Sequence, residues 1–263
     1  MNALLRPLKW KNRKNPQPEA ELELDQFVES DRHFMYQDAS RPLDSHTRSP
    51  IDSIPSEILE MIFLFTQTDM YSWEYEYRKW IYCAHVSRRW RRVSLSFKHL
   101  WTSVHTIWCH IAHTFIRRSG NAPLTLRIAL RSDTSGLERQ TVDLALMHIY
   151  RTRELHLHVE GVEELSQISS SFLQIGLQTP LEILDVRSGL LPLEFPPDIF
   201  NQARGSLLSL TVMNVCFPYP PAFLRSITRL HIIWYQRPGS LNLISFLDML
   251  NCCTNLVKLE FCN

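Results

Sequence analysis

Apolar residues in this 263-residue chain follow two spacings, and the change comes near residue 120. Before it the spacing is helical. From Ile58 to Phe65 every position except Glu60 is apolar. Ile58, Leu59, Ile62 and Phe63 share one helical face, and Met61, Leu64 and Phe65 cover much of the rest. A helix apolar all round must be buried on more than one side. Ser53 and Pro55 mark its entrance, because Pro at a first helical position has a preset φ and no amide hydrogen to leave unpaired. A second helix is predicted where Val86, Trp90, Val93 and Phe97 recur at i, i+4, i+7 and i+11, with Arg88, Arg89, Arg91 and Arg92 on the other faces. Leu100-Trp101 follows it.

After Gly120 the pattern becomes alternation. Leu124-x-Leu126-x-Ile128, Leu155-x-Leu157-x-Val159, Leu181-x-x-Leu184-x-Val186, Leu207-x-x-Leu210-x-Val212, Ile227-x-x-Leu230-x-Ile232 and Leu256-x-x-Leu259-x-Phe261 are variants of the L-x-x-L-x-L core of leucine-rich repeats. Their central leucines recur every 27 residues or so, roughly the period of such repeats. Alternate apolar residues then point into a solenoid core, and the residues between them line a concave parallel sheet. That face is the expected target-binding surface: Arg127 and Ala129, His156 and His158, Asp185 and Arg187, Thr211 and Met213, His231 and Ile233, Glu260 and Cys262. Arg127 and Arg187 flanking two histidines would suit an acidic or phosphorylated peptide, although a solvated face carries such residues without any ligand. Helical spacing over 140–150, 165–175 and 241–250 predicts a convex cover. A linking helix is expected from Val104 to Arg118, stopped by Ser119-Gly120-Asn121. The last strand, Leu256 to Cys262, is followed only by Asn263, which predicts an array left open at that end by truncation or covered by something else.

Three pieces of the first half occur in a telling order: Ile54-Pro55-Ser56-Glu57-Ile58-Leu59, Val86-Ser87-Arg88-Arg89-Trp90 and Leu100-Trp101. Together they resemble an F-box, and in particular the F-box-like modules abundant in mushroom-forming fungi. Ile54 stands where Leu is commoner, and the stretch from Thr66 to Lys79 is long, with Tyr71, Trp73, Tyr75 and Tyr77 at alternate positions. The resemblance implies a three-helix module that binds a Skp-type adaptor and, through it, a cullin ubiquitin ligase. The adaptor contacts it implies are Ile54, Pro55, Ile58, Leu59, Ile62 and Phe63, supported by Val86, Trp90, Leu100 and Trp101. The expected fold class is α+β: a leader over residues 1–48, the F-box-like module over 49–104, the linking helix over 105–120 and an α/β leucine-rich-repeat solenoid with a parallel sheet over 121–263. The expected function is a substrate-recruiting, non-enzymatic adaptor in ubiquitin-dependent degradation. The alternatives are a non-ligase interaction scaffold and a nucleic-acid-binding protein.

Composition narrows this little. Apolar residues make up 44% and charged residues 21%, ordinary for a globular chain, and the net charge of +1 gives no overall pull toward nucleic acid or an anionic membrane. No apolar run reaches the roughly 18 residues of a membrane span, and Ala3-Leu4-Leu5 is too short for a signal core. A cytoplasmic or nuclear protein is expected, with its six scattered cysteines reduced. The leader, basic from Lys9 to Lys14 and acidic from Glu19 to Asp31, has the composition of a disordered tail. The seven glycines lie too far apart for a dinucleotide or phosphate loop, and H-E-x-x-H and G-x-S-x-G are missing. His105, Cys109 and His113 would stack at i, i+4 and i+8 on a helix but offer no fourth ligand, so neither metal nor cofactor is expected. The run Arg88-Arg89-Trp90-Arg91-Arg92 would suit phosphate and base stacking only if Trp90 were exposed, whereas its spacing turns Trp90 to the core.

Overall fold

Three helices open the described chain: α1 (Ser56–Thr66), α2 (Lys79–Cys83) and α3 (Arg88–Ser96). The computed structural model describes residues 50–67, 79–166, 168, 180–189, 193–194, 207–216, 222–234 and 243–262. The leader and the Tyr71 to Tyr77 segment lie outside them, as does nearly all of the expected helix over 165–175. Pro55 is the N-cap of α1, and its carbonyl accepts from the amides of Ile58 and Leu59, both at 3.2 Å. Ser53 belongs instead to a 3-10 turn, Pro50–Ser53. The second helix begins two residues later than the spacing predicts, because the Ser87 hydroxyl accepts from the Trp90 amide at 3.2 Å and so caps the first turn. Val86 is therefore outside the helix and exposed, and Phe97 is a half-buried C-cap. Leu59 and Phe63 pack inward with Trp90, whose ring meets Phe63 edge-on at 5.5 Å.

A seven-stranded parallel sheet follows, in the order β1 (Ser103–His105), β2 (Leu124–Leu130), β3 (Thr152–Val159), β4 (Ile183–Ser188), β6 (Ser209–Met213), β8 (Arg229–Ile233) and β9 (Lys258–Cys262). A small parallel pair, β5 (Leu193–Glu194) and β7 (Val215–Cys216), stands apart from it. In the main sheet, Val104, Leu126, Leu155, Leu184, Leu210, Leu230 and Leu259 lie side by side in one row. The six leucines are the central positions of the sequence motif. Its period of two put every one of them on the same face, and from Leu126 to Leu230 all are buried.

The expected helix from Val104 to Arg118 opens as strand and is helical only from Cys109. Thr106 donates to the Arg127 carbonyl and Thr125 to the Thr102 carbonyl, each at 3.0 Å, so Val104 and His105 extend the sheet. Only Cys109–Ser119 is helical (α4). Strand geometry won because β2 offers an edge whose backbone groups must be paired. The first strand thus follows directly on the 3-10 turn Lys98–Trp101, and helices and sheet lie in one compact unit, Ser49–Asn263.

α4 and α5 (Gly136–Leu146) cover the apolar side of the first strands with Ile111, Ala112, Phe115, Val142, Ala145 and Leu146. α5 opens with a capping box: the Ser135 hydroxyl accepts from the Glu138 amide at 3.3 Å, and Glu138 Oε2 accepts from the Ser135 amide at 2.8 Å. α4 ends differently. Buried Arg151, which follows α5, reaches the carbonyls of Ala122 at 2.8 Å and Ile116 at 3.3 Å and the Ser119 hydroxyl at 3.1 Å. It satisfies acceptors that a helix C-terminus leaves open, and its charge suits that end of the helix dipole. Arg151→Met should cost about 2 kcal/mol in urea denaturation, since it takes a charged donor from the Ala122 carbonyl and leaves the Ile116 carbonyl with only the Ser119 hydroxyl, at 2.7 Å. Arg151→Lys should recover only part, because an ammonium lacks the planar fork.

Candidate protein-interaction surfaces

The residues between the buried leucines form the other face of the sheet. His105, Arg127, His156, Asp185, Thr211, His231 and Glu260 make one row across it, and Ala129, His158, Arg187, Met213, Ile233 and Cys262 make the next. The alternation expected from sequence is there, but not the uniform exposure. Arg127, His156, His158 and Asp185 are buried, Arg187, Thr211, Met213 and His231 are half-buried, and Glu260 is exposed. Buried polar groups need partners, and His156 Nδ1 and the Asp185 carboxylate have them. Arg187 holds Asp185 through Nε to Oδ1 and Nη2 to Oδ2, both at 2.8 Å, and Asp185 Oδ2 faces His156 Nδ1 at 3.3 Å. Burial pushes the Asp185 carboxyl up, but the bonds from His156 and Arg187 and the Arg187 charge outweigh it and hold the group below its usual range. Glu154, 3.9 Å from His156 Nε2, is likewise held low, chiefly by that imidazole.

His105, at the head of the same row, is fully enclosed. Burial, then the charge of Arg127 and the neighbouring His156, push it down to about 3, so its imidazole stays neutral. Its position in β1 also separates it from Cys109 and His113, which lie on α4; the i, i+4, i+8 stack does not form. Among the described residues no group of three or more His, Cys, Asp or Glu could hold a metal ion, and no helix is long and apolar enough to cross a membrane. Burial and then the neighbouring Cys252 push the Cys253 thiol up to about 11, away from reactivity.

At the other end of the unit the helices divide the ten expected contact residues. Leu59, Phe63, Trp90, Leu100 and Trp101 turn inward and are buried. Pro55, Ile58 and Val86 are exposed, and Ile54 and Ile62 are half-buried. The outer side of α1 adds residues that the motif did not single out: Met61, Leu64 and Phe65, with 68% of Phe65 open to solvent. Tyr82 of α2 is also exposed. A run of Ile58, Met61, Leu64 and Phe65 on one short helix is more than scattered surface apolarity and marks an interaction surface. Residues 51–107 match the F-box-like family. No curated protein and no solved structure matches the chain.

The F-box-like match spans α1, α2, α3, the 3-10 turn and β1, so its last residues lie in the sheet. That overlap has a physical basis in Trp101, the close of the motif, which donates from Nε1 to the Ser94 carbonyl of α3 at 3.0 Å and meets Phe115 of α4 edge-on at 5.1 Å. The Arg118 guanidinium lies over the same ring at 4.8 Å. Within the F-box-like domain the arginines of α3 do not form a stacking platform, since Trp90 is buried against Phe63 and Arg89 donates to the Ile54 carbonyl.

Proposed function

We propose that the chain is a non-catalytic adaptor whose F-box-like domain binds a Skp-type adaptor, and through it a cullin ubiquitin ligase, while its parallel sheet, a leucine-rich-repeat solenoid, holds a target protein. One observation carries this: a domain of F-box-like sequence whose first helix buries Leu59 and Phe63 and leaves Ile58, Met61, Leu64 and Phe65 outside. An apolar helix face of this size is stabilised by a protein partner. The row of leucines supports the repeat reading, since strands of the same pattern lie side by side in register. The contribution of such a protein is effective concentration: holding a target close to the transfer machinery makes the reaction quasi-intramolecular. The more open part of the polar sheet face, Arg187, Thr211, Met213, His231 and Glu260, is the better candidate for the target than the enclosed Arg127, His156, His158 and Asp185.

Affinity for a purified Skp-type adaptor tests the first half. Ile58→Asp with Phe65→Asp should weaken binding at least about 100-fold, the effect of losing two central apolar anchors. The unfolding midpoint should barely move, because both side chains are solvent-exposed. Equal binding by wild type and variant would sink the adaptor reading. With binding established, ubiquitin transfer in the presence of cullin and conjugating enzyme separates a ligase receptor from a scaffold that only uses the adaptor.

A further inference from the structure

The far edge of the sheet has a different character from its interior. β9 pairs with β8 on one side and is the outermost strand of the sheet among the described residues. Leu259 and Phe261 continue the buried rows of Leu230 and Ile232, yet they are 45% and 56% exposed, and Val257 is 86% exposed. On the same side lies α6 (Leu243–Cys252), whose Phe246 meets Phe261 edge-on at 6.3 Å while Leu247 is exposed. On the opposite side stand Lys258 and Glu260, paired along the strand at 2.7 Å. Exposed strand edges pair readily with other strands.

The geometry points to a second copy of this chain as the occupant, joined by antiparallel β9–β9 pairing centred on Leu259. Backbone direction supports it. The Val257 and Lys258 amides both donate to Thr228 and the Cys262 carbonyl accepts from Trp234, so the even-numbered residues, together with the Val257 N–H at the start of the strand, spend their backbone groups toward β8. Alternation along a strand then turns the N–H and C=O of Leu259 and Phe261 outward. With Leu259 opposite Leu259 of the second copy, the two exchange both hydrogen bonds, and Val257 falls opposite Phe261. Lys258 falls opposite Glu260 twice, in the non-hydrogen-bonded positions where side chains approach most closely. Shifting the centre to Glu260 would oppose two glutamates, so charge selects the register. The two-fold axis runs through the sheet, which keeps apolar side with apolar side and makes the contact isologous and closed.

Sedimentation equilibrium of the full chain across about 1–200 µM is the test. Wild type should show a concentration-dependent rise toward twice 30.9 kDa. Lys258→Glu and Glu260→Lys should each weaken association by about tenfold or more, since each sets like charges opposite one another. The double reversal, which restores both the cross-strand and the intrastrand pair, should return to within about threefold of wild type. A monomer at every concentration, or a dimer indifferent to the single reversals, overturns the proposal, as does a double reversal that regains nothing. Should a single variant lose structure, hydrogen exchange on wild type decides instead: the Leu259 and Phe261 amides should gain protection as concentration rises, and unchanged exchange overturns the pairing.

Discussion

Trp101→Ala should lower the stability of the whole unit by about 4 kcal/mol, a large fraction of the 5–15 kcal/mol typical of a domain. The side chain is fully buried, so removing it leaves a large cavity. It also strips the Ser94 carbonyl of its donor and takes the ring away from Phe115 and Arg118. Because Trp101 joins α3 of the F-box-like domain to α4 on the sheet, the loss should appear in both parts at once. Urea denaturation followed by near-ultraviolet dichroism and by a fluorophore on β9 should give one shifted transition with an unchanged slope. Two transitions, or a loss below about 1.5 kcal/mol, would show that helices and sheet are not coupled through this residue.

The second large effect is acid sensitivity centred on His105. In the unfolded chain an imidazole titrates near 6.5, whereas here burial beside Arg127 and His156 brings it to about 3. Between those values the unfolded chain takes up a proton that the folded chain refuses. Stability that is complete above pH 6.5 is therefore lost as pH falls, at up to about 1.4 kcal/mol per unit. From pH 6.5 to 4 the loss attributable to His105 is about 3 kcal/mol by the same relation. His148 and His158, also held low chiefly by burial, act in the same direction. Asp185 and Glu154 add to it as pH falls into the ordinary carboxylate range, where the unfolded carboxyls take up protons that the folded ones refuse. Unfolding free energy measured in urea from pH 8 to 4 should show this slope, and His105→Gln, which does not titrate, should flatten it by about the stated amount. An identical slope in the variant would mean that His105 is not held neutral.

Both effects arise from residues whose partners are remote or of a kind no local spacing reveals. His105 read as part of a helical stack because it, Cys109 and His113 share a four-residue step. The step was real, but the edge of β2 claimed Val104 and His105 for a strand. Arg151 gave no signal, since the carbonyls it satisfies belong to Ile116 and Ala122, 35 and 29 residues away. The solvent-facing side of α1 was only half legible: a helix apolar on every side does not say which side its own domain covers, and Phe63 packs that side against Trp90. The polar sheet face shows the same division. Its rows were readable from alternation, while the burial of Arg127, His156, His158 and Asp185 was not.

What the sequence determined by itself is periodic. A spacing of two with leucine at each repeat specifies a row of strands and which residues share a face, because successive side chains on a strand must point to opposite sides. Three motif fragments in order specify an F-box-like domain over 51–107. Tertiary structure alone decided what is covered: which apolar residues of α1 remain outside, where the sheet begins, and that β9 is outermost among the described strands, with Lys258 and Glu260 in a self-complementary order. Period follows from one chain's local geometry, whereas burial depends on which distant surfaces meet.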